Sequence, residues 1–285
     1  MQDSRPVSIP LAAGSRLTKT STSGRHGEID IKQFQAMVGS LMYAMLCTRP
    51  DLAYTIQQLS QFSSNPTTAH FQAAKRVLRY IRGSQTTGLV YGEHDSETII
   101  LVQGYCDADY AAGDDRKSIS GCLFTLAGSP ISWQAKKQTT VAQSTVEAEY
   151  AAMAHAAKEL IWLRYLLRDL NMSKYEPSIL FCDNQGAISL AKNPTHHAKT
   201  KHVDIQLHFI RDHIEKGTFN VEYCPTEIML ADIMTKGLAR DRHTELMKSM
   251  GMRSCENQLK NEQHSTKSTS GSVELRGIRT VTAGK

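Results

Sequence analysis

At 285 residues the chain can form one full core and a smaller second one. Its 40% hydrophobic and 21% charged content exclude a disordered or fibrous class, and its apolar stretches are too short to cross a bilayer. A net charge of +5 is too mild to argue for nucleic acid by itself, so the placement of the charges matters more than their sum.

Residues 1–30 read as a disordered leader, rich in Gly, Ser and Thr and without a hydrophobic period or an apolar signal core. Three helical segments follow. The first, 31–47, carries Phe34, Met37, Val38, Leu41 and Met42 at helical spacing. Pro50 suits the first turn of the second, which runs to about Phe62. The third spans 68–82, with Phe71, Ala74, Leu78 and Ile81 on one face, and Gly83-Ser84 ends it. From Gly88 the period changes to that of strands, expected over 89–91 and 98–106 around the polar turn 93–96, then over 118–126 and 130–133. A long helix is expected over 144–170, a strand over 179–183, and helices to about Lys192 and over 201–216. A strand over 218–223 and a helix over 228–236 complete the set, and 241–285 read as a mostly disordered tail. Strands followed by strand–helix alternation predict an α/β domain with a mixed sheet and flanking helices, preceded by a small helical segment. The six cysteines are scattered without a CxxC pair, which fits reduced thiols in a cytoplasmic or nuclear protein.

Four acids stand out by position. Asp107 and Asp183 each follow an apolar strand, and strand ends are where open α/β sheets build ligand sites. In the long helix Ser144-Thr145-Val146-Glu147 is a capping-box pattern, which gives Glu147 a structural task. Glu149 instead lies roughly 60° from the centre of the apolar stripe, where a carboxylate needs a partner. Asp232 sits between apolar neighbours in Leu230-Ala231-Asp232-Ile233-Met234. Each acid alone has a plain structural reading as a turn, cap or solvated residue. Their conjunction carries the argument: close carboxylates repel unless a cation neutralises them, and Mg²⁺ is the hard cation such a set suits.

The motifs around these acids resemble the C-terminal part of copia-type retrotransposon polyproteins. They are Gly104-Tyr105-Cys106-Asp107-Ala108-Asp109-Tyr110-Ala111, Ile131-Ser132-Trp133, Ser144 to Tyr150, Cys182-Asp183-Asn184-Gln185, Lys199-Thr200-Lys201-His202-Val203-Asp204 and Leu230-Ala231-Asp232-Ile233-Met234-Thr235-Lys236. Upstream, Arg49-Pro50-Asp51-Leu52-Ala53-Tyr54 matches the same family. The resemblance implies a distal reverse transcriptase segment over 31–87 and a ribonuclease H domain over 88–240, with a five-stranded mixed sheet. It also implies cleavage of the RNA strand of RNA–DNA hybrids, with Asp107, Glu149, Asp183 and Asp232 as catalytic ligands of two Mg²⁺ ions (Mn²⁺ as an alternative) and Asp109 auxiliary. The polymerase portion of the polyprotein is the implied protein partner. Two departures stand out. The stretch 223–227 lacks the histidine that cellular ribonucleases H carry before the last acid, which leaves water or Glu227 to manage the leaving group's proton. The only adjacent aspartate pair, Asp114-Asp115, lies in a polar loop, so no polymerase activity is expected.

For phosphate contacts the candidates are Lys75, Arg79 and Arg82 at helical spacing, Lys136 and Lys137, and Lys199 and Lys201. An ordinary solvated face explains the first stripe equally well. Competing functions are an inactive nucleic-acid-binding remnant, and another nuclease of the same fold such as an integrase, whose zinc-binding module is missing here.

Overall fold

The computed structural model describes residues 3–18, 30–91, 101–172, 177–192 and 201–254, with backbone alone over 201–207. Helices α1 (Ile31–Cys47), α2 (Ala53–Ser60) and α3 (Thr68–Gly83) form a first layer. Asp30 caps α1 through Gln33 N, and Thr67 with His70 closes a capping box on α3. Phe34, Val38, Leu41, Leu52, Ile56, Leu59, Ala74 and Val77 make the core of this layer.

The second layer is a five-stranded sheet of order β4-β3-β2-β5-β6. Its strands are β2 (Val102–Asp109), β3 (Ile119–Leu126), β4 (Ser129–Lys137), β5 (Ser178–Cys182) and β6 (Phe219–Tyr223). The pairs β2–β3 and β3–β4 are antiparallel, whereas β2–β5 and β5–β6 are parallel. The resemblance implies a five-stranded mixed sheet with flanking helices, and the chain forms one.

Alternation along β2 sends Val102, Cys106 and Ala108 to one face and Tyr105, Asp107 and Asp109 to the other. The first face is covered by the long helix α4 (Thr145–Asp169), by α5 (Gln185–Lys192) and by α6 (Lys201–Glu215). Met153, Leu160, Phe124, Leu180, Phe219 and Val221 fill that core, each large side chain contributing roughly 1.5–3 kcal/mol by burial. The opposite face receives the helical layer and α7 (Asp232–Thr235). Gly121, opposite Asp107 in the ladder, makes that approach possible: a Cβ there would stand 2.6 Å from Thr235 Cγ2 and 2.7 Å from Met234 Cβ. Trp133 Nε1 donates to Met45 O at 2.9 Å, tying β4 to the end of α1.

Several expectations are corrected. The strand read over 89–91 is β1 (Thr87–Leu89), and it pairs with β7 (Met252–Ser254) as a separate two-stranded sheet, not with β2; the rest of the expected hairpin, 92–100, lies outside the described residues. The region read as a tail from 241 holds β7 and helix α8 (Arg240–Ser249). Leu246, Met250 and Met252 are buried against Ala53, Leu123 and Leu230, and their spacing was masked by the polar residues between them. The boundary at 240 therefore cuts through one core, and of the stretch read as tail 255–285 lie outside the described residues. The leader is likewise engaged: Ile9 and Leu11 are buried, and Thr18 O meets His70 Nε2 at 3.1 Å. The helix expected over 228–236 is interrupted; a 3-10 turn over Thr226–Ile228 precedes the single turn of α7. Among the described residues no helix is long and apolar enough to cross a membrane.

Candidate metal centre

Each of four elements carries one of the acids, Asp107 and Asp183 standing at the carboxyl ends of the neighbouring inner strands β2 and β5. Asp107 lies within β2, which continues two residues past it to Asp109, and is 1% exposed. Asp183 directly follows β5, and the cap of α5 falls to its neighbour, since Asn184 Oδ1 accepts from Ala187 N at 2.9 Å. Asp183 is thereby spared the capping task, and its Oδ2 accepts from Thr226 Oγ1 at 2.9 Å. On α4 the two glutamates divide. Ser144 Oγ accepts from Glu147 N at 3.2 Å and Glu147 Oε2 accepts from Gln143 N at 2.9 Å, so Glu147 serves the helix end. Glu149, one turn inward, is 7% exposed. Asp232 opens α7 and is 4% exposed.

These side chains meet in two subsets. Ligand atoms of Glu149, Cys182 and Asp183 lie within 4.8 Å of one another. Asp107 and Asp232 share a cation: Lys236 Nζ is 2.6 Å from Asp232 Oδ1 and 3.3 Å from Asp107 Oδ1. Thr235 Oγ1 donates to Asp107 Oδ2, and Arg242 Nη2 stands 3.5 Å from Asp232 Oδ2. Arg242 also donates to the carbonyls of Thr226 (2.8 Å) and Glu227, fixing the loop between β6 and α7.

The electrostatics join the two subsets. Burial pushes Glu149 up to about 10, reinforced by Asp107, Cys182 and Asp183, so its carboxyl is protonated at neutral pH. Burial also raises Asp107 to about 6; Lys236 and Thr235 hold it down while Asp232 and Asp183 push it further up. Burial opposes the charge on Lys236, yet Asp107 and Asp232 keep its ammonium above the ordinary range. Asp109 is half-buried and raised by that burial, with Lys236 and Arg16 opposing; it faces the cavity of about 260 Å³ between the sheet and Tyr54 of α2. Glu149 Oε2 is buried with no hydrogen-bond partner, a vacancy on a hard oxygen that a divalent cation fits.

Sequence reasoning missed Lys236, Thr235, Cys182 and Arg242. Lys236 carried a signal, its position four residues after Asp232. Arg242 lay in the stretch read as tail. Of the phosphate-contact candidates, Arg79 Nε donates to Arg5 O at 2.6 Å and Arg82 Nη1 to Ser4 O, so these two hold the leader rather than forming an open stripe. Lys75 lies over the Phe71 ring at 4.8 Å. Lys137 pairs with Asp115 (2.8 Å) and Gln61 Oε1 (3.0 Å) across the layers. Lys136 is exposed beside His155 and Lys158, at a pocket of about 150 Å³. Lys199 and the side chain of Lys201 lie outside the described residues.

No protein-family profile matches the chain. Over 258 residues it is 41% identical to the retrovirus-related Pol polyprotein from transposon TNT 1-94 of Nicotiana tabacum, which covers 89% of this chain. The corresponding protein from transposon RE2 of Arabidopsis thaliana is 36% identical over 253 residues, 88% of this chain. The chain is homologous to the Pol polyproteins of copia-type retrotransposons. The chain spans 19% and 17% of those two relatives' lengths. Among solved structures it overlays loosely on the N-terminal RNase H domain of rv2228c from Mycobacterium tuberculosis, with a TM-score of 0.35 and 11% identity over 53% of this chain and 98% of that one.

Proposed function

We propose that this chain is the ribonuclease H portion of a retrotransposon Pol polyprotein, a hydrolase that cuts the RNA strand of RNA–DNA hybrids with divalent cations. The observation that supports the reading is the buried, unpartnered oxygen of Glu149 within 4.8 Å of Asp183, electrostatically linked to the Asp107–Asp232 pair that Lys236 joins. A purely structural cluster has no reason to leave a buried carboxylate unpartnered beside a second acid. Asp107, Glu149, Asp183 and Asp232 would hold Mg²⁺ or Mn²⁺, with Asp109 as a flanking acid. Such ions supply Lewis acidity, activating water and offsetting charge on the phosphate.

The chain's own residues set the stage. Thr235 and Thr226 orient Asp107 and Asp183 by donating to one oxygen of each, and Lys236 meets the other oxygen of Asp107. Arg242 holds the loop that carries Glu227, an exposed carboxylate suited to returning a proton to the departing oxygen in place of a histidine. Selection for a hybrid comes from its shape and from 2′-hydroxyls in the minor groove, with Lys136 and its basic neighbours meeting backbone phosphate.

The test is a gel assay with labelled hybrid, duplex RNA and duplex DNA, in Mg²⁺ and in EDTA. The expected result is cleavage of the hybrid's RNA strand in Mg²⁺ alone, reduced at least about a hundredfold in Asp107→Asn with the circular dichroism unchanged. Hybrid retained on the protein but never cut would turn the assignment into that of a binding remnant. Cleavage that survives Asp107→Asn would remove the acids from the mechanism.

A further inference from the structure

The cleft's acids differ in how they are neutralised. Glu149 has an oxygen with no partner, whereas Asp107 and Asp232, from a strand and from a separate helical turn, are joined by one ammonium. Lys236 Nζ reaches Asp232 Oδ1 at 2.6 Å and each Asp107 oxygen at 3.3 Å. It occupies the space between the two carboxylates that a bridging cation needs. Its side chain is 34% exposed, and its backbone N–H is anchored on Asp232 O at 3.0 Å. The four-carbon stem can therefore swing the ammonium out of the pair without disturbing α7.

We propose that Lys236 is a resident counter-cation: it holds Asp107 and Asp232 together in the cation-free protein, must yield those oxygens to a divalent ion, and turns to a phosphate of the nucleic acid once released. The proposal rests on the reading of the cleft as a divalent-cation site. Two buried carboxylates from different elements repel, and without a positive charge between them the strand and the helical turn would part. An ammonium and a divalent ion cannot share those oxygens, because they repel each other at the same range. The ammonium leaves most readily when another anion receives it, and a phosphate at the cleft mouth is that anion. Cation loading and substrate binding then reinforce each other, each by the same factor. Arg242 stays with Asp232 and with the carbonyls of Thr226 and Glu227, so the loop is held throughout.

The experiment uses the full chain without nucleic acid, titrated with Mn²⁺ and followed by the electron paramagnetic resonance of the free ion. Lys236→Met is expected to bind Mn²⁺ roughly tenfold more tightly than wild type, while Lys236→Arg, which keeps the charge, stays near wild type. Equal or weaker Mn²⁺ binding by Lys236→Met overturns the proposal. Failure of wild type to bind Mn²⁺ at all overturns the cation reading beneath it, so the two failures are distinct. Should Lys236→Met not fold, the wild-type protein still decides through the nuclear magnetic resonance of its lysine ammonium groups, with Lys236→Arg supplying the assignment. The Lys236 signal is expected to shift on adding Mg²⁺, and separately on adding hybrid in EDTA, where no cutting can occur. A signal unmoved by Mg²⁺ overturns the displacement, and one unmoved by hybrid overturns the transfer to phosphate.

Discussion

Asp51, in the helical layer, and Asp107, in the sheet's central strand, are 2% and 1% exposed, and each stands beside a basic side chain. Around Asp51 every charge is answered. Arg49 grips it through Nε (2.9 Å) and Nη2 (2.8 Å), Tyr80 donates its hydroxyl at 2.7 Å, and the rest of the guanidinium bonds the Ser84 carbonyl (3.1 Å) and hydroxyl (2.8 Å). Around Asp107 the acids outnumber the bases, Glu149 is left protonated, and one of its oxygens has no partner. Burial of charge thus takes two forms in one chain. A satisfied network fixes a fold; an unsatisfied one stores a demand that a ligand meets.

The sharpest way to break this comparison is to cut the satisfied network. Asp51→Ala strands the Arg49 guanidinium, which is only 7% exposed, and is expected to cost about 3–5 kcal/mol in urea unfolding. A loss below ~1 kcal/mol would show that the Arg49–Asp51 pair does no more than an exposed ion pair. The next effect concerns how the two regions are joined. Helix α8 touches both, with His243 edge-on to Tyr80 at 5.7 Å and Arg242 beside Asp232. Leu246, 1% exposed on the same helix, anchors it in the core. Leu246→Ala should cost roughly 2–4 kcal/mol and weaken Mn²⁺ binding through the loosened Arg242. Two separated unfolding transitions in wild type would instead make the regions independent bodies.

What was legible in the sequence follows the same division. Glu149 could be placed because helical periodicity set it beside a buried stripe, and Asp183 because an apolar strand ran into it. The order of strands and helices was readable for the same local reasons. What stayed hidden depends on distant partners. The ladder between Leu89 and Met252 spans most of the chain, and no local pattern announces it. Arg79 and Arg82 look like an exposed basic stripe until the carbonyls of Arg5 and Ser4 arrive to accept their donors. In α8 the apolar anchors Leu246 and Met247 stand among Arg, His, Glu and Lys, so composition pointed to a tail where packing makes a helix.

The smallest effect is also the most discriminating, because its sign is opposite to that of an ordinary core mutation. In the folded, cation-free protein Glu149 titrates near 10, against an ordinary value of 4.5. Above pH 4.5 the unfolded chain releases a proton that the folded chain keeps, so this group's contribution to stability is full below that pH and drains away as pH rises towards 10. Asp107 adds a shorter slope of the same sign between 3.8 and about 6. Glu149→Gln replaces the acid by a neutral side chain of the same shape. It should therefore raise cation-free stability at pH 8 by on the order of 1–2 kcal/mol and flatten the dependence between pH 5 and 8. Mg²⁺ should stabilise the wild type and not the variant, since filling the vacancy requires the carboxylate. Thermal unfolding in EDTA at several pH values checks the sign directly. A variant less stable than wild type at pH 8 would mean that Glu149 has a structural partner like Asp51, and the contrast between the two regions would fail.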